Sequence, residues 1–105
     1  MNQDVLKRLA EVIRARREAS PETSYTRQLL DGGPERCAKK LGEESVETLI
    51  AAVSQDDAAL KGEAADLLYH LLVLLEARGV ALDDVLHELE DRMGESGLSE
   101  KARRG

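Results

Sequence analysis

The chain has 105 residues, 42% hydrophobic and 34% charged, with a formal net charge of −6, one cysteine, and Tyr25 and Tyr69 as the only Phe, Trp or Tyr residues. That length allows one domain with one core, and the acidic surplus excludes a nucleic-acid groove or an anionic membrane surface, which are bound through Lys and Arg. A lone cysteine excludes an intramolecular disulfide and a cysteine-rich zinc site, so a reducing cytoplasm is the expected location.

Recurrent Ala, Leu, Glu and Arg with few aromatic residues favour helices over sheets. Val5, Leu6, Leu9, Val12 and Ile13 recur at helical spacing, which predicts a first amphipathic helix within 2–19, ended by Ser20 and Pro21. The start of the chain lacks the continuous apolar stretch of a secretory signal. Thr23 or Ser24 caps a short helix through Leu30, closed by the left-handed geometry that Gly32 and Gly33 supply. Pro34 opens a third helix, in which Cys37, Leu41, Val46, Leu49, Ile50 and Val53 are expected on one apolar face as far as about Ser54. Cys37 fits a small core residue better than a nucleophile. Asp56 or Asp57 caps a fourth helix that runs to Arg78 and stops at Gly79, and a last amphipathic helix over 82–93 turns Val85, Leu86 and Leu89 inward.

The expected fold is all-α, four to five helices in a bundle over residues 1–94, with 95–105 as a polar C-terminal tail. The longest apolar run, 67–75, is interrupted by His70 and is far short of the roughly 18 residues needed to cross a bilayer. Leu67, Leu68, Leu71, Leu72, Leu74 and Leu75 point in almost every direction around their helix. One short chain hardly covers them all, which predicts a homodimer.

The third and fourth helices carry matching acidic sets: Glu43, Glu44 and Glu47, then Glu63 and Asp66. Residues three apart stand on one side of a helix, so Glu44 with Glu47, and Glu63 with Asp66, can present oxygens to a single point. Either motif by itself also fits a solvated helix face making salt bridges. Asp66, however, abuts Leu67 and Leu68, where a solvated face would not run. Gathered carboxylates repel: two unit charges about 4 Å apart cost about 4 kcal/mol at an effective dielectric of 20. A divalent cation reverses that sign, and all-oxygen ligands point to a hard ion, Mg²⁺, when phosphates share the site. A di-iron bundle fails on spacing, since it needs two Glu-x-x-His motifs and Asp66 stands where the histidine would follow Glu63.

These motifs, EExxE at 43–47 and ExxD at 63–66, resemble the signature of the all-α nucleoside-triphosphate pyrophosphohydrolases, the MazG-like group. Within that group SYTRQLL at 24–30, KKLGEESVE at 39–47 and EAADLLYHLLVLL at 63–75 look like the phosphoribosyl-ATP pyrophosphatase family, over nearly the whole domain. The resemblance implies a magnesium-dependent helical dimer that hydrolyses phosphoribosyl-ATP to phosphoribosyl-AMP and pyrophosphate, the second step of histidine biosynthesis. It implies Glu44, Glu47, Glu63 and Asp66 as metal ligands, with Glu43 either an outer carboxylate or a base for water.

Around that centre, Lys40 and then Lys39 precede the acidic cluster by about one helical turn and are candidates to meet a phosphate, as is Arg27. Tyr25 is a candidate to stack on adenine or ribose and Thr26 to bond a phosphate; the alternative is a capped helix with Tyr25 packed on the domain. His70, one turn beyond Asp66, either orients that carboxylate, touches substrate, or is a core histidine, while Tyr69 is expected in dimer packing. The rivals are a dNTP pyrophosphatase of the same fold and a non-catalytic helical dimer that binds a protein partner.

Overall fold

The computed structural model describes residues 4–94, so the polar tail expected at 95–105 lies outside the described residues. Five α-helices follow in order, α1 (Val5–Ala15), α2 (Tyr25–Asp31), α3 (Gly33–Ser54), α4 (Asp57–Ala77) and α5 (Leu82–Met93), with a 3₁₀ turn at Arg16–Glu18 between the first two. Among the described residues there is no strand, and no helix is long and apolar enough to cross a membrane.

Local chemistry sets most of the boundaries. The Ser24 hydroxyl accepts from the Arg27 amide at 3.1 Å and the Asp56 carboxylate from the Ala59 amide at 2.9 Å, so these residues, rather than Thr23 and Asp57, cap α2 and α4. Of the two glycines at the α2–α3 corner, Gly33 takes the left-handed conformation (φ +81) and Gly32 stays right-handed at φ −75. At the end of α4, Gly79 has φ +71; its amide donates to the Glu76 carbonyl at 3.1 Å and that of Val80 to Leu75 at 2.9 Å. This is the paired-bond stop of a Schellman motif.

Helices α3 and α4, separated only by Gln55 and Asp56, form an αα-hairpin, the longest contact in the molecule. Helix α1 packs on α4, and α2 fills the corner between α3 and α4. Ile13, Leu29, Cys37, Leu72 and Val73 form the buried core where these elements meet, with Leu6, Leu9, Leu30, Tyr69 and Leu75 packed around it. Burying a side chain of the Leu or Ile class is worth about 1.5–3 kcal/mol, so this small cluster is the main stabilising unit of a single chain. Arg17 fastens the segment after α1 to the end of α4, donating to the Glu76 carbonyl at 2.7 Å and pairing with its carboxylate.

Helix α3 departs from the expected single apolar face. Cys37 and Ala51 are buried, but Val46, Leu49, Ile50 and Val53 are exposed, Val53 by 84%. At about 100° per residue, the nine positions from Cys37 to Val46 turn the helix to its opposite side. Helix α3 therefore has two apolar faces, and only one meets the core.

Candidate active site

The α3–α4 hairpin brings the acidic motifs together. One carboxylate oxygen each from Glu44, Glu63 and Asp66 lies within 4.8 Å of the others, Glu44 and Glu63 half-buried and Asp66 exposed. Glu47, one turn beyond Glu44, is outside that trio, yet its charge reaches both Glu44 and Glu63. Glu43 takes another direction: it is exposed and pairs with the Lys40 ammonium at 3.4 Å. Lys39 is exposed on the same stretch of α3.

The electrostatics are those of like charges crowded into partial burial. Burial pushes the Glu44 carboxyl up, and the charges of Glu47 and Asp66 push the same way, against an opposing effect of His70. Glu63 is raised by burial first, then by Glu47 and Asp66. Glu44 Oε2 is fully buried and has no hydrogen-bond donor. A buried acceptor without a partner is unfavourable, and a carboxylate more so. No Lys or Arg side chain pairs with Glu44, Glu47, Glu63 or Asp66 among the described residues. An all-oxygen donor set with one orphaned buried oxygen and no basic partner fits a hard divalent cation.

Beside the carboxylates, α2 and α4 build an aromatic wall. The His70 ring is buried, and its Nδ1 lies 2.8 Å from the Asp66 carbonyl, which can only accept, so Nδ1 carries the proton. Nε2 lies 3.4 Å from the Tyr25 hydroxyl, its hydrogen-bond partner. Tyr25 and Tyr69 stack with centroids 6.4 Å apart, and the His70 ring stands edge-on to Tyr69 at 4.9 Å. The hydroxyl of buried Thr26 is bonded to the Tyr69 hydroxyl. Burial raises the Tyr69 phenol pKa and the Thr26 bond opposes that rise. Arg27 is held by Asp31 at 2.9 Å and by the Ala19 carbonyl at 2.7 Å.

Of the candidates named from sequence, Glu44, Glu47, Glu63, Asp66 and His70 share one region, and His70 links it to Tyr25. Glu43 and Lys40 are engaged with each other, Arg27 with α2 and its approach, and Thr26 with Tyr69. Tyr69, expected at a dimer contact, packs within its own chain. Thr48, which no acidic or basic motif marks, also belongs to the region: its hydroxyl lies 2.8 Å from the Glu44 carbonyl and 3.2 Å from the Glu63 carbonyl. A β-branched residue one turn after Glu44 was the available signal, since threonine is a poor helix former.

A model of the phosphoribosyl-ATP pyrophosphohydrolase family matches residues 6–93. A phosphoribosyl-ATP pyrophosphatase of Rhodobacter capsulatus is 58% identical over 100 residues, covering 95% of this chain and 97% of its own. The enzyme of that name from Paracoccus denitrificans is 61% identical over 94% of this chain and 92% of its own, and that from Dinoroseobacter shibae 60% over 95% and 98%.

Proposed function

Because this chain belongs to the phosphoribosyl-ATP pyrophosphohydrolase family, we propose that it hydrolyses the α–β phosphoanhydride of phosphoribosyl-ATP to phosphoribosyl-AMP and pyrophosphate, with Mg²⁺ held by Glu44, Glu47, Glu63 and Asp66. This is the second step of histidine biosynthesis, carried out in the cytoplasm by a homodimer. The observation that carries the reading is the trio of carboxylate oxygens within 4.8 Å, one of whose residues, Glu44, holds a buried oxygen without a donor.

When bound, Mg²⁺ supplies charge neutralisation at the phosphates and lowers the pKa of a water. The protein's own residues aim and fill the site. Lys40 and Glu43 hold each other at 3.4 Å. A phosphate arriving beside them draws on the Lys40 ammonium, while Glu43, turned away from the carboxylate trio, is an outer charge. Tyr25, 48% exposed and oriented through its hydroxyl by His70, offers a face for adenine or ribose. Thr26 and Tyr69 support that wall from behind. Lys39 and Arg27 stand further out as charges for the phosphates.

The test is a coupled pyrophosphate assay on phosphoribosyl-ATP, with Mg²⁺ and then with EDTA, beside a panel of dNTPs. Turnover of phosphoribosyl-ATP that disappears in EDTA is expected. Preference for a dNTP would reassign the substrate, and no turnover of any nucleotide would leave only a binding protein.

A further inference from the structure

We propose that Thr48 is a positioning residue for the cation, holding the two ligand-bearing helices in register, an inference that rests on the metal reading above. Its Oγ1 lies 2.8 Å from the Glu44 carbonyl on its own helix and 3.2 Å from the Glu63 carbonyl on α4. Ser45 and Ser54 reach only the carbonyl four residues back, Leu41 at 2.9 Å and Ile50 at 2.7 Å, the ordinary bond of a helical hydroxyl. Thr48 alone also crosses to the facing helix. Among the described residues it makes the only hydrogen bond between α3 and α4.

Its single proton is shared between the carbonyls of Glu44 and Glu63, whose carboxylates make up the trio with that of Asp66. Without a cation those charges drive the helices apart at that level, while the apolar packing of the hairpin is spread along its length. The half-buried hydroxyl is the local restraint that opposes the repulsion and keeps the oxygens convergent.

The experiment uses metal-free full-length protein, titrated with Mn²⁺, which takes the same oxygen ligands as Mg²⁺ and is counted as free ion by electron paramagnetic resonance. Thr48→Val keeps the shape and loses the hydroxyl, and should weaken Mn²⁺ binding about tenfold, the scale seen when groups supporting metal ligands are removed. Thr48→Ser should bind within about twofold of wild type. Thr48→Ala serves in place of the valine variant if the latter does not fold. Wild-type affinity in the valine or alanine variant overturns the proposal, even with a lowered Tm in EDTA, because the role would then be structural only. Serine binding as weakly as valine overturns it too. If the wild type itself binds no Mn²⁺ and Glu44→Gln changes nothing, the metal reading fails as well, an outcome distinct from a wild type that binds and a valine variant that binds equally.

Discussion

Glu44 shows how a single side chain acts on both stability and chemistry. Its carboxyl is raised above the ordinary value of 4.5 by burial, and further by Glu47 and Asp66. In the window between that ordinary value and the raised one, the folded state binds more protons than the unfolded state. Stability of the metal-free protein therefore falls as pH rises through the window and stays lower above it. Glu44→Gln removes the charge and gives its neighbours an amide donor, so in EDTA its Tm should exceed the wild-type Tm at pH 7, an advantage that shrinks as pH falls toward 4.5. A wild type at least as stable as the glutamine variant at pH 7 would mean that the carboxylate is not under strain. Activity should move the other way. Glu47→Gln and Asp66→Asn, like Glu44→Gln, are expected to lower turnover about a hundredfold or more with helical content intact, since even the partners of metal ligands cost 10–100-fold. Retained turnover in Asp66→Asn would remove it from the ligand set. The pairing of Glu63 with Asp66 was legible in the sequence because a spacing of three fixes a shared face within one helix, whereas the same spacing leaves Glu47 outside the trio that Glu44 joins. Thr48 and Tyr69 were not legible, since what they touch is set by how α3 meets α4 and how α2 meets α4, which no spacing within a helix encodes.

At the scale of elements, the ends of helices were readable because caps are local chemistry. Gly79 is the clearest case: the sequence places it after Arg78, and the structure gives it φ +71 and the paired bonds from its own amide and that of Val80. A Cβ there meets no neighbour, so the cost of Gly79→Ala is conformational alone, about 1–2 kcal/mol for an L-residue held left-handed. In a domain of this size that corresponds to a fall in Tm of roughly 4–16 °C, measurable by thermal circular dichroism. Mn²⁺ affinity should be unchanged, because α4 reaches its carboxylates well before this end. A Tm within a degree of wild type would show that α4 stops equally well without the motif. The faces of α3 were less legible. Apolar residues occupy both sides of that helix, and a periodic pattern counts them without saying which side the core takes.

For the whole molecule, the second face of α3 decides what a single chain leaves undone. Val46 (55% exposed), Leu49 (66%), Ile50 (47%) and Val53 (84%) lie together on it, and Leu68 of α4 is 45% exposed. The leucines of α4 that suggested a dimer from sequence are mostly half-buried within the chain, and the largest group of exposed apolar side chains on one helix sits on α3. Each such side chain fully buried contributes about 1.5–3 kcal/mol, enough for several together to hold two copies in association. Against this acts the formal charge of −6 on each copy, a repulsion that salt screens over a Debye length of about 10 Å at 0.1 M. An apolar contact between like-charged chains should therefore tighten as salt rises, whereas one held by ion pairs would loosen. Sedimentation velocity at micromolar concentration is expected to show a dimer whose dissociation constant falls as NaCl is raised from about 20 to 200 mM. Leu49→Glu should yield monomers, because it buries a charge in the contact without a partner, while an exposed site in a lone chain tolerates it within about 0.5 kcal/mol. A wild type that sediments as a monomer in both salts would rule out the dimer, and a Leu49→Glu variant that stays dimeric would move the contact to another surface.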